Sequence, residues 1–175
     1  MTEVSSFRPV AARDARVLVL GSMPGVASLE AQQYYAHPRN AFWPIMAELL
    51  GFDPGLPYRA RLARLRRGRV ALWDVLKRCR RDGSLDAAIE PASVEVNDFA
   101  AFLRLHGHVA TVCCNGATAH DLFVRRALPL LQELGRSVDV LKLPSTSPAN
   151  AGMPRAAKAA RWREALGPLL KGAGD

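Results

Sequence analysis

The sequence predicts a three-layer α/β/α sandwich built on a central four-stranded parallel sheet. Four short apolar runs each stop at a turn-forming or polar residue, as buried parallel strands do. Helix-period stretches lie between these runs, and this alternation argues against a bundle or a barrel. The 175 residues, 49% of them apolar, are enough for one compact core. We therefore expect a single domain over residues 1–175.

The predicted strands begin at Arg16, Arg69, His108 and Val138 and read RVLVLG, RVALWD, HVATVCCNG and VDVLKLPS. The predicted helices are AFWPIMAELLG, the basic YRARLARLRRG, NDFAAFLRLHG, ATAHDLFVRRAL and MPRAAKAARWREALGPLL. Several of them end in glycine, a frequent residue at helix C-termini. Ligands of open α/β sheets bind beyond the carboxyl ends of the strands. The turns GSMPG, CCNGATA and LPSTSPAN and the region of Asp74 are therefore the candidate site.

The net charge of +8 and the isoelectric point near 10.1 make a polyanion such as nucleic acid the first partner to consider. A generic solvated arginine surface is the alternative. No run approaches the ~18–20 apolar residues of a membrane span. The first residues also lack the apolar core of a signal peptide. These features predict a cytoplasmic, nucleoid-associated protein without a membrane partner.

Cys79, Cys113 and Cys114 indicate neither a disulfide framework nor a zinc site, because two of them are adjacent within an apolar run. Core packing is the simplest role for them. A metal site is not expected, since the chain has no C-x-x-C motif and its histidines are only His37, His106, His108 and His120.

The turn GSMPG at residues 21–25 does not fit the usual phosphate-binding loops. The dinucleotide pattern G-x-G-x-x-G is absent, and no Gly-Lys-Ser/Thr follows as in a P-loop. Met23 at its centre offers no useful hydrogen bond. The turn is therefore expected to act through its main-chain donors.

The run SLEAQQYYAHPRNAFW that follows is dense in aromatic and amide side chains within a predicted loop. Such side chains stack on bases and bind base edges in nucleic-acid enzymes. The helical spacing of Phe42 and Trp43 with the next apolar residues favours a core role for that pair. Tyr35 and Asn40 are the functional candidates.

With GSMPG, QYYAHPRNAFW and LPSTSPAN taken together, the chain resembles the uracil-DNA glycosylase superfamily, and most closely its hypoxanthine-DNA (deoxyinosine) glycosylase branch. The resemblance implies an enzyme that flips a deaminated base out of DNA and hydrolyses its N-glycosidic bond, which leaves an abasic site. It implies water as the nucleophile, no metal or organic cofactor, DNA containing a deaminated base as the partner, and a monomer.

The resemblance also implies roles for individual residues. Met23 occupies the slot of a water-positioning asparagine in mismatch-specific relatives, and Asn40 is implied as the catalytic replacement. Tyr35 falls where relatives stack an aromatic ring on the flipped base. Asp74 falls where relatives read the base edge, and a carboxylate there accepts N1–H of hypoxanthine or N3–H of uracil. A helix N-cap is the alternative role for Asp74.

The remaining implied contacts divide between base and DNA. The base pocket is expected to include Gly21, Ser22, Met23, Pro24 and Gly25, with Asn115 and Gly116 at its floor. Leu143 replaces a polar residue of relatives, which weakens a standard uracil mechanism.

For the DNA, the main-chain amides of Ser145, Thr146 and Ser147 are expected to hold phosphates. The loop Pro148–Met153, with Asn150, is expected to enter the minor groove and fill the gap left by the flipped base. The cations of the last helix are expected to face phosphate, with a merely solvated face as the alternative for the later members. They are Arg155, Lys158, Arg161 and Arg163.

Two other functions stay open on the sequence. One is a uracil-releasing enzyme of the same superfamily, and the other is a nucleic-acid-binding module that kept the fold without the chemistry.

Overall fold

A computed structural model of the chain describes residues 1–171. Within them the strands are β1 (Glu3–Ser5), β2 (Val17–Gly21), β3 (Val70–Asp74), β4 (Leu76–Arg80), β5 (Glu95–Val96), β6 (Thr111–Asn115) and β7 (Asp139–Leu143). The helices are α1 (Val26–Ala31), α2 (Phe42–Leu50), α3 (Tyr58–Arg67), α4 (Phe99–Leu105), α5 (Ala117–Leu122), α6 (Leu128–Glu133) and α7 (Arg155–Lys171).

The central sheet is parallel and has the strand order β3-β2-β6-β7. Every residue of β2, β3 and β6 is buried, because helices cover both faces of the sheet. One core contains Trp73, Phe99 and Phe123, and the other contains Phe42 and Trp162. Burial on both faces explains why the strands read as continuous apolar runs. The predicted sheet is confirmed.

The chain departs from strict alternation after Asp74, where a strand follows instead of a helix. β4 lies between β1 and β5 in a second, antiparallel sheet. Val75 and Leu76 donate their amides to the carbonyls of Gly21 and Ser22, at 2.8 and 3.1 Å. The alternative role of Asp74 as a helix N-cap is therefore wrong.

Two helical regions also differ from the sequence prediction. α1 forms within residues that were predicted as loop, and its C-cap is Gln32, whose φ of 53° is left-handed. The predicted helix from Ala117 is interrupted by a π-helical turn, Phe123–Ala127, which separates α5 from α6. No helix within residues 1–171 has the length and apolar character needed to cross a lipid bilayer.

Candidate active site

A cavity of about 450 Å³ lies beyond the carboxyl ends of the parallel strands. Its wall is formed by the loops that follow the strands, together with one segment beyond β4. The lining residues fall in 21–28, 34–40, 84–86 and 145–150, with Asp74 and Asn115. The cavity therefore brings together the predicted base-contacting residues, except Gly116, and the loop Ser145–Asn150. Arg155 lies outside this wall and is exposed at the start of α7.

Gly21 and Asp74 end neighbouring strands and pair directly in the sheet. A Cβ on Gly21 would lie 2.5 Å from Asp74 Oδ1 and 3.1 Å from the Tyr35 hydroxyl. A residue larger than glycine would therefore displace the carboxylate. The same geometry shows that the carboxylate and the hydroxyl approach one point above the end of β2.

The Asp74 carboxyl group is buried in this wall, and its residue is 3% exposed. Its Oδ2 has no hydrogen-bond partner. Burial raises the pKa of Asp74 to about 7, the negative charge of Asp86 adds to the rise, and the positive charge of Arg81 partly opposes it. Near neutral pH the group is therefore divided between its ionised and neutral forms.

The hydroxyl of Tyr35 is the second buried polar group without a partner in the wall. The Tyr35 backbone is left-handed, with φ at 54°, and its ring stacks on Phe42 with 4.1 Å between centroids. Burial, together with the charge of Asp74, raises the pKa of the phenol, so the hydroxyl stays protonated at neutral pH. Phe42 and Trp43 are buried in the core as predicted.

Asn40 lies at the edge of the cavity just before α2. The side-chain Oδ1 of Asn40 accepts a hydrogen bond from the main-chain amide of Phe42 at 3.0 Å. The main-chain amide of Asn40 donates to the carbonyl of His37 at 2.9 Å. The start of α2 therefore orients the side chain. No hydrogen bond within residues 1–171 uses its Nδ2, and Oδ1 keeps a second lone pair.

The GSMPG turn is fixed by hydrogen bonds of its carbonyls and of the Ser22 hydroxyl, while two of its main-chain amides stay free of hydrogen bonds within residues 1–171. Its first carbonyls accept from the amides at the start of β4, and the Ser22 hydroxyl donates to Asp86 at 2.7 Å. No hydrogen bond among the described residues uses the amides of Ser22 or Met23. The Met23 side chain is 7% exposed and belongs to a core cluster. The methionine thus anchors a turn whose main chain can serve a ligand.

Asn115 lines the cavity, and each end of its side-chain amide makes one hydrogen bond within the protein. Its Nδ2 donates to the Thr146 hydroxyl and its Oδ1 accepts from the Thr146 amide, each at 2.9 Å. Thr146 is only 1% exposed, and its carbonyl accepts from the amide of Ala41. The pair fixes the turn after β7 to the sheet.

Main-chain amides of Ser145, Thr146 and Ser147 are expected to hold DNA phosphate, and most amides of this turn already have partners within the protein. The amide of Thr146 is bound to Asn115, that of Ser147 to the Ser145 hydroxyl, and that of Ala149 to the Ser147 hydroxyl. The Asn150 amide donates to the carbonyl of Ser147. The serine hydroxyls accept these bonds, so their own hydrogens can donate to phosphate.

The cations of α7 also divide into two groups. Lys158 is 5% exposed, and its Nζ donates to the carbonyl of Ser147 at 3.0 Å. Arg163 pairs with Glu48 of α2 at 2.5 Å. These two are therefore occupied within the protein, while Arg155 and Arg161 are exposed.

The wall segment 84–86, which consists of Ser84, Leu85 and Asp86, was not predicted. They lie in a polar stretch, RRDGSLD, that carries no recognisable motif. The contact between Ser22 and Asp86 spans 64 positions of sequence, and no local pattern reports such a contact.

The cysteines are free and buried, as predicted. Burial raises the pKa of Cys113 and Cys114 to about 12, so neither provides a thiolate near neutral pH. No group of three or more acidic, histidine or cysteine side chains within residues 1–171 is arranged to hold a metal ion.

Comparison with known proteins places this geometry in a family context. The family model of the Uracil DNA glycosylase superfamily matches residues 8–166. The chain is 32% identical to a hypoxanthine DNA glycosylase of Methanosarcina barkeri over 161 residues, which are 91% of this chain and 96% of the relative. It is 34% identical to a hypoxanthine DNA glycosylase of Methanosarcina acetivorans over 145 residues, 82% of this chain and 86% of that one.

Among solved structures, the chain is similar to the solution NMR structure of a candidate uracil DNA glycosylase from Methanosarcina acetivorans. The TM-score is 0.79 at 30% identity, and the match covers 97% of this chain and 99% of the other.

Proposed function

Since the chain belongs to the uracil DNA glycosylase superfamily, we propose that it flips a deaminated base, hypoxanthine of deoxyinosine, out of DNA and hydrolyses its N-glycosidic bond to leave an abasic site. One observation carries the proposal: the Asp74 carboxylate and the Tyr35 hydroxyl, both buried, each have an oxygen without a partner in the same cavity wall. The hypoxanthine DNA glycosylases among its relatives support the choice of base. The chain acts as one domain and as a monomer.

Base recognition follows from the hydrogen-bonding capacity of these two groups. Hypoxanthine presents a carbonyl, O6, next to an N1–H donor. The Tyr35 hydroxyl donates to the carbonyl, and the ionised Asp74 accepts from N1–H. Adenine has an acceptor at N1, which would face the carboxylate and be repelled. The pair therefore selects the deaminated base over its normal parent.

The reaction needs a placed water molecule and a stabilised leaving group. Asn40 holds the water with its free Nδ2 and the second lone pair of Oδ1. As the C1′–N9 bond of deoxyinosine breaks, the water attacks C1′ of the oxocarbenium-like sugar, and the proton that the water loses ends on the departing base. The amides of Ser22 and Met23 donate to the departing base and stabilise its negative charge. Preorganised donors of this kind contribute about 3–4 kcal/mol each to the transition state.

DNA is held at the mouth of the cavity. The hydroxyls of Ser145 and Ser147 bind the backbone beside the flipped nucleotide, and so does the second hydrogen of the Asn150 side-chain Nδ2, whose first hydrogen is donated to the carbonyl of Ser145. Pro148 shapes the turn. Arg155 adds an exposed cation at the start of α7. The internal bonds of the loop keep these groups in place before DNA arrives.

The direct test is base release from labelled duplexes that carry hypoxanthine, uracil or xanthine, scored as strand cleavage at the abasic site after alkali. We expect hypoxanthine to be released fastest. Uracil is the competing substrate, because it also presents N–H beside a carbonyl. Release of uracil with hypoxanthine untouched would refute the substrate assignment. No release from any duplex would favour a binding module.

Variants of Asn40 test the catalytic step. Asn40→Ala removes the water-binding amide and also the hydrogen bond that Oδ1 accepts from the Phe42 amide at the start of α2, which costs about 1 kcal/mol of stability. Asn40→Ser keeps an oxygen that can accept from the Phe42 amide and lacks the side-chain amide, so it separates the two effects. We expect both variants to lose about 100-fold or more in base release and to keep DNA affinity measured by fluorescence anisotropy. Near wild-type release by Asn40→Ser would exclude Asn40 as the catalytic residue.

A further inference from the structure

Leu85 is an exposed apolar side chain at the mouth of the cavity. It is 59% exposed and lines the cavity wall. The other large apolar side chains that are exposed within residues 1–171 do not line the cavity, and they are Met1, Val26, Leu105, Leu130 and Leu134. Single exposed leucines are common on protein surfaces, so the position of Leu85 at the mouth and its support are what set it apart.

The segment that carries Leu85 is fastened to the GSMPG turn on both sides of this residue. Ser84 Oγ accepts from the amide of Val26 at 2.8 Å, and Asp86 Oδ1 accepts from the Ser22 hydroxyl at 2.7 Å. Arg81 is 1% exposed, and its guanidinium donates to the carbonyl of Pro24 at 2.5 Å and to that of Gly83 at 2.9 Å. Leu85 is therefore held in a fixed place relative to the base pocket.

The other side of the mouth carries no comparable side chain. The segment 84–86 follows β3 and β4, while the loop 145–150 follows β7, the opposite edge strand of the sheet. The side chains of that loop are serine, threonine, proline, alanine and asparagine. Met153, further along, is half-buried and does not line the cavity.

Extruding a base leaves a gap in the duplex stack, and proteins that distort DNA often fill such gaps with an apolar side chain. A rigidly held, exposed leucine beside the pocket has the chemistry for this task. Resting on the proposed function, we propose that Leu85, rather than a residue of the loop Pro148–Met153, inserts into duplex DNA at the space vacated by the flipped nucleotide.

The test compares Leu85→Ala with Leu134→Ala, which truncates a leucine of the same 59% exposure away from the cavity. Full burial of a leucine side chain corresponds to about a 10- to 100-fold effect on an equilibrium. On a duplex with deoxyinosine opposite thymine, we expect Leu85→Ala to lose about that factor in kcat/KM and Leu134→Ala to lose less than about twofold. Leu85→Met, which keeps the apolar reach, should stay near wild type.

A second duplex separates insertion from shaping of the pocket. When pyrene replaces the base opposite deoxyinosine, the large hydrocarbon fills the gap itself. We expect this substrate to restore the activity of Leu85→Ala and to leave Asn40→Ala inactive. Equal activity of Leu85→Ala and Leu134→Ala on the normal duplex would overturn the proposal, and so would a loss that pyrene does not restore. Failure of the wild-type protein to release any base would instead refute the proposed function, and the inference with it.

Discussion

Replacing Asp74 by asparagine is expected to stabilise the protein at pH 8 but not at pH 4. The carboxyl group is buried, and its pKa is raised from 3.8 to about 7 by burial and by the charge of Asp86. Because the folded protein holds this proton more tightly than the unfolded chain does, the wild-type protein loses stability as the pH rises from about 4 to about 7. Asparagine has nearly the same shape and does not titrate, so it avoids this loss.

The size of the effect follows from the pKa difference. One pH unit corresponds to about 1.4 kcal/mol, so ionising Asp74 costs the folded state about 4 kcal/mol above pH 7. The asparagine amide would lack hydrogen-bond partners in the same place, which costs about 1–3 kcal/mol. We therefore expect Asp74→Asn to be more stable than wild type by about 1–3 kcal/mol at pH 8, and no more stable than wild type at pH 4.

The assay is urea unfolding at a series of pH values between 4 and 8.5, with the difference in unfolding free energy plotted against pH. Asp14→Asn is the control, because it removes a carboxylate whose side chain is 61% exposed. Its difference from wild type should vary by less than about 1 kcal/mol. Parallel curves for wild type and Asp74→Asn would refute the raised pKa. A stabilised variant would show that the protein keeps a buried charge for its function at a cost in stability.

Two further predictions concern activity on deoxyinosine. For the wild-type protein, kcat/KM should rise as the pH increases through about 7, because only the ionised Asp74 accepts N1–H. This rise should be absent from Asp74→Asn. A flat wild-type profile from pH 6 to 8.5 would contradict this role of Asp74. Tyr35→Phe should lower kcat/KM about 10-fold while the ring stays stacked on Phe42 and the unfolding free energy changes by less than about 1 kcal/mol. Full activity of Tyr35→Phe would show that the hydroxyl does not read the base.

The parallel sheet could be predicted because three of its four strands, β2, β3 and β6, are buried on both faces, and each of these therefore leaves a continuous apolar run in the sequence. The antiparallel sheet could not. β1 and β5 have only three and two residues, and β4 alternates poorly, with Leu76 and Cys79 buried among exposed basic residues. Such strands are defined by partners that are distant in the sequence, so a local pattern does not reveal them.

The candidate site shows the same division. Asn40, Asp74 and Tyr35 could be chosen from sequence because they follow strands or belong to motifs, and all three line the cavity. Their hydrogen bonds could not be predicted. The hydrogen bonds between Asn115 and Thr146 span 31 positions of sequence, so no local pattern indicates that Asn115 also supports the turn after β7.

The sequence alone was enough to indicate the α/β sandwich, the edge of the sheet where ligands bind and the family resemblance, because burial pattern and motif spacing are local properties of the chain. Only the tertiary structure decided which polar groups remain free for a substrate. The unpartnered oxygens of Asp74 and Tyr35, the free amides of Ser22 and Met23 and the anchored position of Leu85 all depend on contacts between segments that are distant in the sequence. A group can bind a ligand only if the folded chain has left it a donor hydrogen or an acceptor lone pair that is not already used.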